Sequence, residues 1–420
     1  MLTTQSRKFL IGAAVALTAG FGANAALAQE VNLSLVIWDP AQRDGVQLAV
    51  DAFEAANPDI KVTLEQVPSD QYYTKLDAAL GAGEGPDVMW QSSRASYYVA
   101  GGALQPLDEY IARDGVSLDA YNQTIAGLYN IDGKQYGMPK DFDAWTMVYN
   151  ANVFEELGVT PPTADWIWDD MVRIAEDVKA KQAGGADIPL YVYYNWNNGV
   201  ASLVHSLGGT VIKDGKGYMS SEEGVMALNM MRDLQDQGLI TKVADSADLN
   251  PVSALISGTV AIAEIPSWNL SLLSRADVPE GSFHVLHLPA VNGAWMTDTN
   301  GLSYVMNAHS DHKEEAWELI KFLTSDEGAV LHAQGGAGLP ANAAPEASAA
   351  FVEANSALVG LEDALAAQQP YPRTTTAYPK VIPPQQQING SIMNSFYAGK
   401  ISAEDAAAQI DELVTRALVQ

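Results

Sequence analysis

The residues from Val31 to Val67 constrain the fold more than any other part of the chain. In VNLSLVIW, Val31, Leu33, Leu35 and Ile37 alternate onto one face, the period-two pattern of a strand. In GVQLAVDAFEAANPD, Val46, Ala49, Val50 and Phe53 fall at i, i+3, i+4 and i+7, a helical stripe that Asn57-Pro58 ends before a second strand at IKVTLEQV. Strand, helix and strand in that order join two parallel strands by a right-handed crossover. Short apolar strands recur at GPDVMW and at Ile188 to Tyr194, and helical stripes recur at Trp168, Met171, Val172 and Ala175, at Val200, Leu203, Val204 and Leu207, and at Ala316, Leu319, Ile320 and Leu323. The expectation is an α/β chain throughout. Ser220 with Glu223 and Ser402 with Asp405 have the spacing of capping boxes, and Pro370 to Pro384, with five prolines, reads as an extended surface connection.

The first 28 residues carry Arg7 and Lys8, an apolar run from Phe9 to Phe21 and a small-residue end at Ala26 and Ala28, which is the pattern of a secretory signal peptide cleaved after Ala28. The run is shorter than the roughly 20 residues that span a bilayer. No cysteine is present, which excludes disulfides, thiolate metal sites and a lipidated cysteine. An exported chain of this kind is expected to be free in a periplasm, as a monomer. Residues 29–420 suffice for two domains. The full chain has a net charge of −28, and loss of two basic residues with the signal makes it more negative still, so nucleic acid and anionic membrane are excluded as partners.

Catalytic and cofactor motifs are missing: there is no GxSxG, HExxH, GxxxxGK[ST] or GxGxxG after a strand, so no cofactor and no metal is expected. The S-x-x-K match at Ser310 opens an amphipathic helix, and His284 and His287 sit on opposite faces of a strand. Tyrosine doublets at 72-73, 97-98 and 193-194 leave ferric iron as an alternative ligand.

Aromatic residues fall instead at strand ends, each beside hydrogen-bonding groups: Trp38 with Asp39, Gln42 and Arg43; Trp90 with Ser92, Ser93 and Arg94; Trp196 with Asn195; Trp268 with Ser267. In GMPKDFDAWTMVYN, Lys140, Asp141 and Asp143 interrupt a strand-forming run, either as a solvated edge or as the lining of a pocket. Open α/β sheets bind ligands beyond the carboxyl ends of their strands, and rings beside carboxylates and amides suit a sugar, whose C–H faces stack while its hydroxyls hydrogen-bond.

The ordered series FEAANPDIKV, GPDVMW, GALQPLDEYI, IDGKQYGMPKDFDAWTMVYNANVFEELGVTPP, SGTVAIAEIPSW and HSDHKEEAWELIKFLTSDEGAVL resembles the family 1 extracellular solute-binding proteins, the maltose-binding type that serves ABC sugar importers. The resemblance implies a two-lobed periplasmic binding protein fold with the ligand cleft between lobes and several hinge crossings. It implies lobes of residues 29–142 with 300–342 and of 143–299 with 343–420, and permease subunits as the membrane partner. Carried over position by position, it implies a site of Trp38, Asp39, Gln42, Arg43, Trp90, Ser92, Ser93, Arg94, Asp141, Asp143, Asn195, Trp196, Trp268, Asn300, Gly301, Tyr371 and Arg373. Ser93 stands where the maltose binders have an acid, which argues against maltose, and Thr299-Asn300-Gly301 replaces a glycine pair. The competing class is a secreted glycosidase with paired carboxylates, for which Asp141 and Asp143 would have to act from one strand face.

Overall fold

The computed structural model describes residues 30–92, 94–182, 188–246, 249–373 and 378–419. The expected signal peptide, Ser93 and the side chain of Tyr371 lie outside the described residues. The chain starts as its alternation predicts, with β1 (Val31–Ile37) and β2 (Ile60–Gln66) paired in parallel and helix α1 (Arg43–Ala56) between them, burying Val46, Ala49, Val50 and Phe53. β3 (Val88–Gln91) and β4 (Gly137–Pro139) follow. The chain then crosses to a second sheet as β5 (Trp145–Asn150), β6 (Ile188–Tyr191), β7 (Val260–Pro266) and β8 (Phe283–Leu286). It returns through β9 (Met296–Thr299) to β10 (Ser303–Met306), and afterwards contributes β11 (Leu358–Val359) and β12 (Gln369–Pro372), the latter parallel to β9.

The sheets have the orders β2-β1-β3-β10-β4 and β11-β8-β5-β7-β6. Each is the centre of one lobe. Leu35, Phe53, Met89 and Trp317 pack in the core of the first. The second is covered on both faces, by Met147, Ile174 and Ile262 on one and by Val148, Leu255, Ile265 and Phe351 on the other. Burial on both faces is why every residue of VAIAEIP is inside, Glu264 included.

In each sheet the strand that follows a crossing runs antiparallel to its neighbours: β5 between β7 and β8, and β10 between β3 and β4. The start of β5 therefore lies beside the end of β7, Trp145 against Pro266, and the start of β10 beside the end of β3, Ser303 against Gln91. Strand ends and crossings thus converge on one edge of each sheet, the edge at which α/β proteins bind ligands.

Helix α2 (Trp168–Lys181) forms as its stripe predicts, but its buried face is Met171, Ile174, Ala175 and Val178, with Trp168 and Val172 at the margin. The strand expected to reach Tyr194 ends at Tyr191, because Asn195 caps a π-helical turn, Trp196–Val200, that runs into α3 (Ala201–Ser206). Ser221 rather than Ser220 caps α4 (Glu222–Asp236), accepting from Gly224 N at 3.1 Å, whereas Ser402 accepts from Asp405 N at 3.1 Å as expected. Helix α5 (Lys313–Leu323) buries Ala316, Leu319, Ile320 and Leu323. The proline-rich segment is not an extended connection throughout: it holds β12 and a helix at Ile382–Gln387 with proline in its first turn, where a missing N–H costs little. Among the described residues, no helix is long and apolar enough to cross a membrane.

Candidate functional site

Lys140 is 4% and Asp141 5% exposed, and the Asp143 side chain 14%, so the cation and two anions of GMPKDFD are not a solvated edge. Lys140 Nζ donates to Gln42 Oε1 at 2.7 Å, pairs with Asp141 and sits 4.1 Å from the centroid of the Trp90 ring. Burial pulls the Lys140 pKa down, and Asp141 pulls it back up. Asp141 is in turn anchored by Leu302 N at 2.9 Å, and Gln42 Nε2 donates to Asp39 Oδ2 at 3.1 Å. Asp39, Gln42, Lys140 and Asp141 form one hydrogen-bonded row along the floor of the first lobe, in which Lys140 neutralises Asp141 and Asp39 is held by the Gln42 amide.

On the other side, Arg373 donates from Nη2 to Asp143 Oδ2 at 2.8 Å and from Nε to Asp298, while its backbone N donates to Thr299 O at 2.8 Å. Burial pushes the Asp143 carboxyl up to about 7; Arg373 opposes the shift, and Asp141 and Asp298 reinforce it. Asp298 is raised by burial and likewise held back by Arg373. The two crossings are stitched together by Asp143 N to Asn300 O at 2.7 Å and Thr299 Oγ1 to Asp143 O at 2.9 Å.

Between these rows is a cavity of about 270 Å³. Of the residues singled out in the sequence, it brings together Trp38, Asp39, Gln42, Ser92, Asp141, Asp143, Trp268, Asn300 and Arg373. The rings of Trp38 and Trp268 are half-buried and face it from the two lobes. Asn300 Nδ2 donates to Ser92 Oγ at 2.9 Å across the return crossing.

The other named residues lie elsewhere. Trp90 is buried behind Trp38, edge-on at 5.2 Å between centroids, and supports the floor rather than lining it. Trp196 is wholly buried in the core of the second lobe, and Asn195 spends its side chain on Asn198 N and Gly199 N. Arg43 is exposed at the start of α1. Arg94 lies over Tyr73 and pairs with Asp77 at 3.5 Å. Gly301 does not line the cavity either; a Cβ there would meet Asp141 O at 2.2 Å, so glycine is what lets the two crossings touch.

Phe142, Leu302, Ala337 and Leu339 line the cavity without having been named as contacts; Ser267, read from the sequence as the hydrogen-bonding neighbour of Trp268, lines it too, and Asp298 holds Arg373. Small and apolar residues carry no chemical signature, so the first group was out of reach of motif reading. Asp298, a lone acid in the run MTDTNGL, did carry one: a carboxylate in a buried crossing implies a cation to meet it. Among the described residues, no three His, Asp or Glu side chains are grouped as a metal site.

A family model for bacterial extracellular solute-binding proteins matches residues 39–330. A binding protein of Brucella abortus is 27% identical over 98% of this chain and 99% of its own. The galactooligosaccharide-binding protein of Bacillus subtilis is 26% identical over 70% of this chain and 69% of its own. Among solved structures, an ABC substrate-binding protein of Listeria monocytogenes in complex with cycloalternan matches with a TM-score of 0.78 at 22% identity, covering 92% of this chain and 98% of that one. The sugar-binding protein MalE of Xanthomonas citri matches with a TM-score of 0.74 at 22% identity, covering 93% and 98%. These likenesses carry the fold, two α/β lobes with a cleft between them. With the family model spanning 39–330, this chain belongs to the bacterial extracellular solute-binding proteins.

Proposed function

We propose that the chain is the substrate-binding protein of an ABC importer, taking a carbohydrate into the cavity between the lobes and delivering it to membrane permease subunits. The observation that carries this reading is the pair of half-buried indoles, Trp38 and Trp268, facing one cavity together with Asp39, Gln42, Ser92, Asp143 and Asn300. Indole faces stack on sugar C–H surfaces, and carboxylates and amides accept and donate to hydroxyls. The names of relatives support the class: galactooligosaccharide, arabinooligosaccharide and diacetylchitobiose binders are among them. The lobes of this reading are 29–142 with 300–342 and 143–299 with 343–420, closing about the crossings near Asp141 to Trp145, Asn300 and Leu339 to Asn342. Residues 1–28 direct export to a periplasm.

Two alternatives fit less well. A glycosidase needs a free acid and a free carboxylate across the scissile bond; Asp141 has one oxygen on Lys140 and the other on Leu302 N, and Asp143 is shared with Arg373. A ferric site needs converging phenols, whereas Tyr72 donates to the carbonyls of Val36 and Trp90 in one lobe and Tyr193 packs on Trp145 in the other. The test is thermal shift and titration calorimetry against a panel of short oligosaccharides, with scattering in parallel. A ligand at 100 times its dissociation constant stabilises by about 2.7 kcal/mol, and closure reduces the radius of gyration. A panel without any thermal shift, or release of reducing ends from the sugars, overturns the reading.

A further inference from the structure

Behind Trp145 is a second cavity, of about 50 Å³, within the lobe built on the second sheet. Trp145 lies between the two spaces: its ring meets Trp268, which lines the cleft, at 5.4 Å and Tyr193, which lines the second cavity, at 4.6 Å between centroids. The walls are chiefly apolar, with Met147, Met171, Met231 and Met296 among them. A single water needs only ~10–15 Å³ on the same measure, so a group of a few heavy atoms has room.

One ionisable acid lines this space. Glu264 is 5% exposed, and its carboxyl accepts from Tyr193 N at 2.7 Å. Among the described residues it has no salt bridge. Burial pushes its pKa up to about 8, against the pull of Tyr193 N–H and with Asp298 adding to the shift. Ionised, a buried carboxylate without a counter-ion is costly, and Arg373, the cation beside its electrostatic neighbour Asp298, is already engaged on Asp143 and Asp298. Methionine walls adapt to the shape of what they enclose. The group that matches an apolar chamber with one acid is an ammonium on a short alkyl stem.

We propose that this cavity is a second ligand subsite, taking a small protonated amine on a short apolar stem with Glu264 as its counter-ion. It goes beyond the carbohydrate reading and does not depend on it. The cavity is therefore tested without any sugar.

The full chain, labelled with 13C at its methionine methyls, is titrated with ethylammonium and with its neutral analogue ethanol at about pH 8, where both the wild type and E264Q are checked for folding by near-UV circular dichroism. Ethylammonium is expected to shift the methyls of Met147, Met171, Met231 and Met296 saturably, at least about tenfold more strongly than ethanol. E264Q abolishes the response, and Met296→Phe, which fills the space and leaves the carboxyl in place, abolishes it as well. Silence of these four methyls, an equal response to ethanol, a response unchanged in either variant, or shifts spread over all 12 methionines overturns the proposal. A failed sugar panel beside an intact ethylammonium response would remove the cleft reading and leave the cavity standing; the converse result would do the opposite.

Discussion

Arg373 Nη2 lies 2.8 Å from Asp143 Oδ2, and the same guanidinium reaches Asp298, so one residue of the C-terminal segment holds acids from both crossings. A guanidinium engaged on two carboxylates is not waiting for an anionic ligand; it is the counter-charge that permits Asp143 and Asp298 to be inside. Arg373→Ala is expected to destabilise by about 3–5 kcal/mol by leaving buried carboxyls unpaired, and Arg373→Lys to recover part of that. Urea denaturation of both variants checks it. A stability loss below about 1 kcal/mol in the alanine variant would remove the clamp.

The raised carboxyls set a pH dependence. Asp143, at about 7, and Glu264, at about 8, hold protons in the folded state that they release in the unfolded one, so each adds stability at low pH that is lost as pH rises through its folded value. Below pH 6.5 the half-buried His205, lowered to about 4, and the buried His332, also lowered, act in the opposite sense, since they are protonated more readily when unfolded. The window from 6.5 to 8 is governed by the acids, and stability should fall across it by roughly 2 kcal/mol. Asp143→Asn and Glu264→Gln should each flatten the slope in denaturation series at several pH values.

The tryptophans separate into two kinds. Trp38→Ala and Trp268→Ala should weaken carbohydrate binding by about 1–3 kcal/mol and leave the unliganded protein folded, because both rings are half-exposed to the cavity. Trp196→Ala should instead cost about 3–5 kcal/mol of stability, since its ring is wholly buried. Calorimetric affinity and denaturation midpoint, measured on the same three variants, distinguish the two outcomes.

Gly301→Ala puts a methyl 2.2 Å from Asp141 O and 2.9 Å from Ile125, and both are held in place, the first by the crossing and the second by the core. A loss of about 1–3 kcal/mol is expected. It should be accompanied by weaker ligand binding, because Asn300 and Asp141 move with the crossing. Unchanged affinity in a destabilised variant would mean that the crossing relaxes without carrying the site.

How much of this was legible depends on what each residue does. The stripe of α1 and the alternation of β1 were readable because burial on one face leaves a period in the sequence. Asp141, Asp143 and Trp268 were readable because a charge or ring at a strand end contradicts local packing. Trp196 reads the same way from sequence and yet lies in the core: the π-helical turn that follows Asn195 rotates it inward, and no local pattern announces such a turn. Leu302 and Ala337 were illegible for the opposite reason, being ordinary apolar residues that become walls only when two distant segments meet.

The antiparallel placement of β10 also fixes an order in time. β4 has no partner in its sheet except β10, so residues 137–139 wait for residues 303–306 before the first sheet can close. The first sheet therefore closes through contacts of long sequence separation, which form slowly. A fragment ending at residue 295 should leave the edge of β3 open and be digested by protease throughout 88–139, whereas the full chain resists. Until residues 303–306 have been made, the first sheet has no strand to bridge β3 and β4.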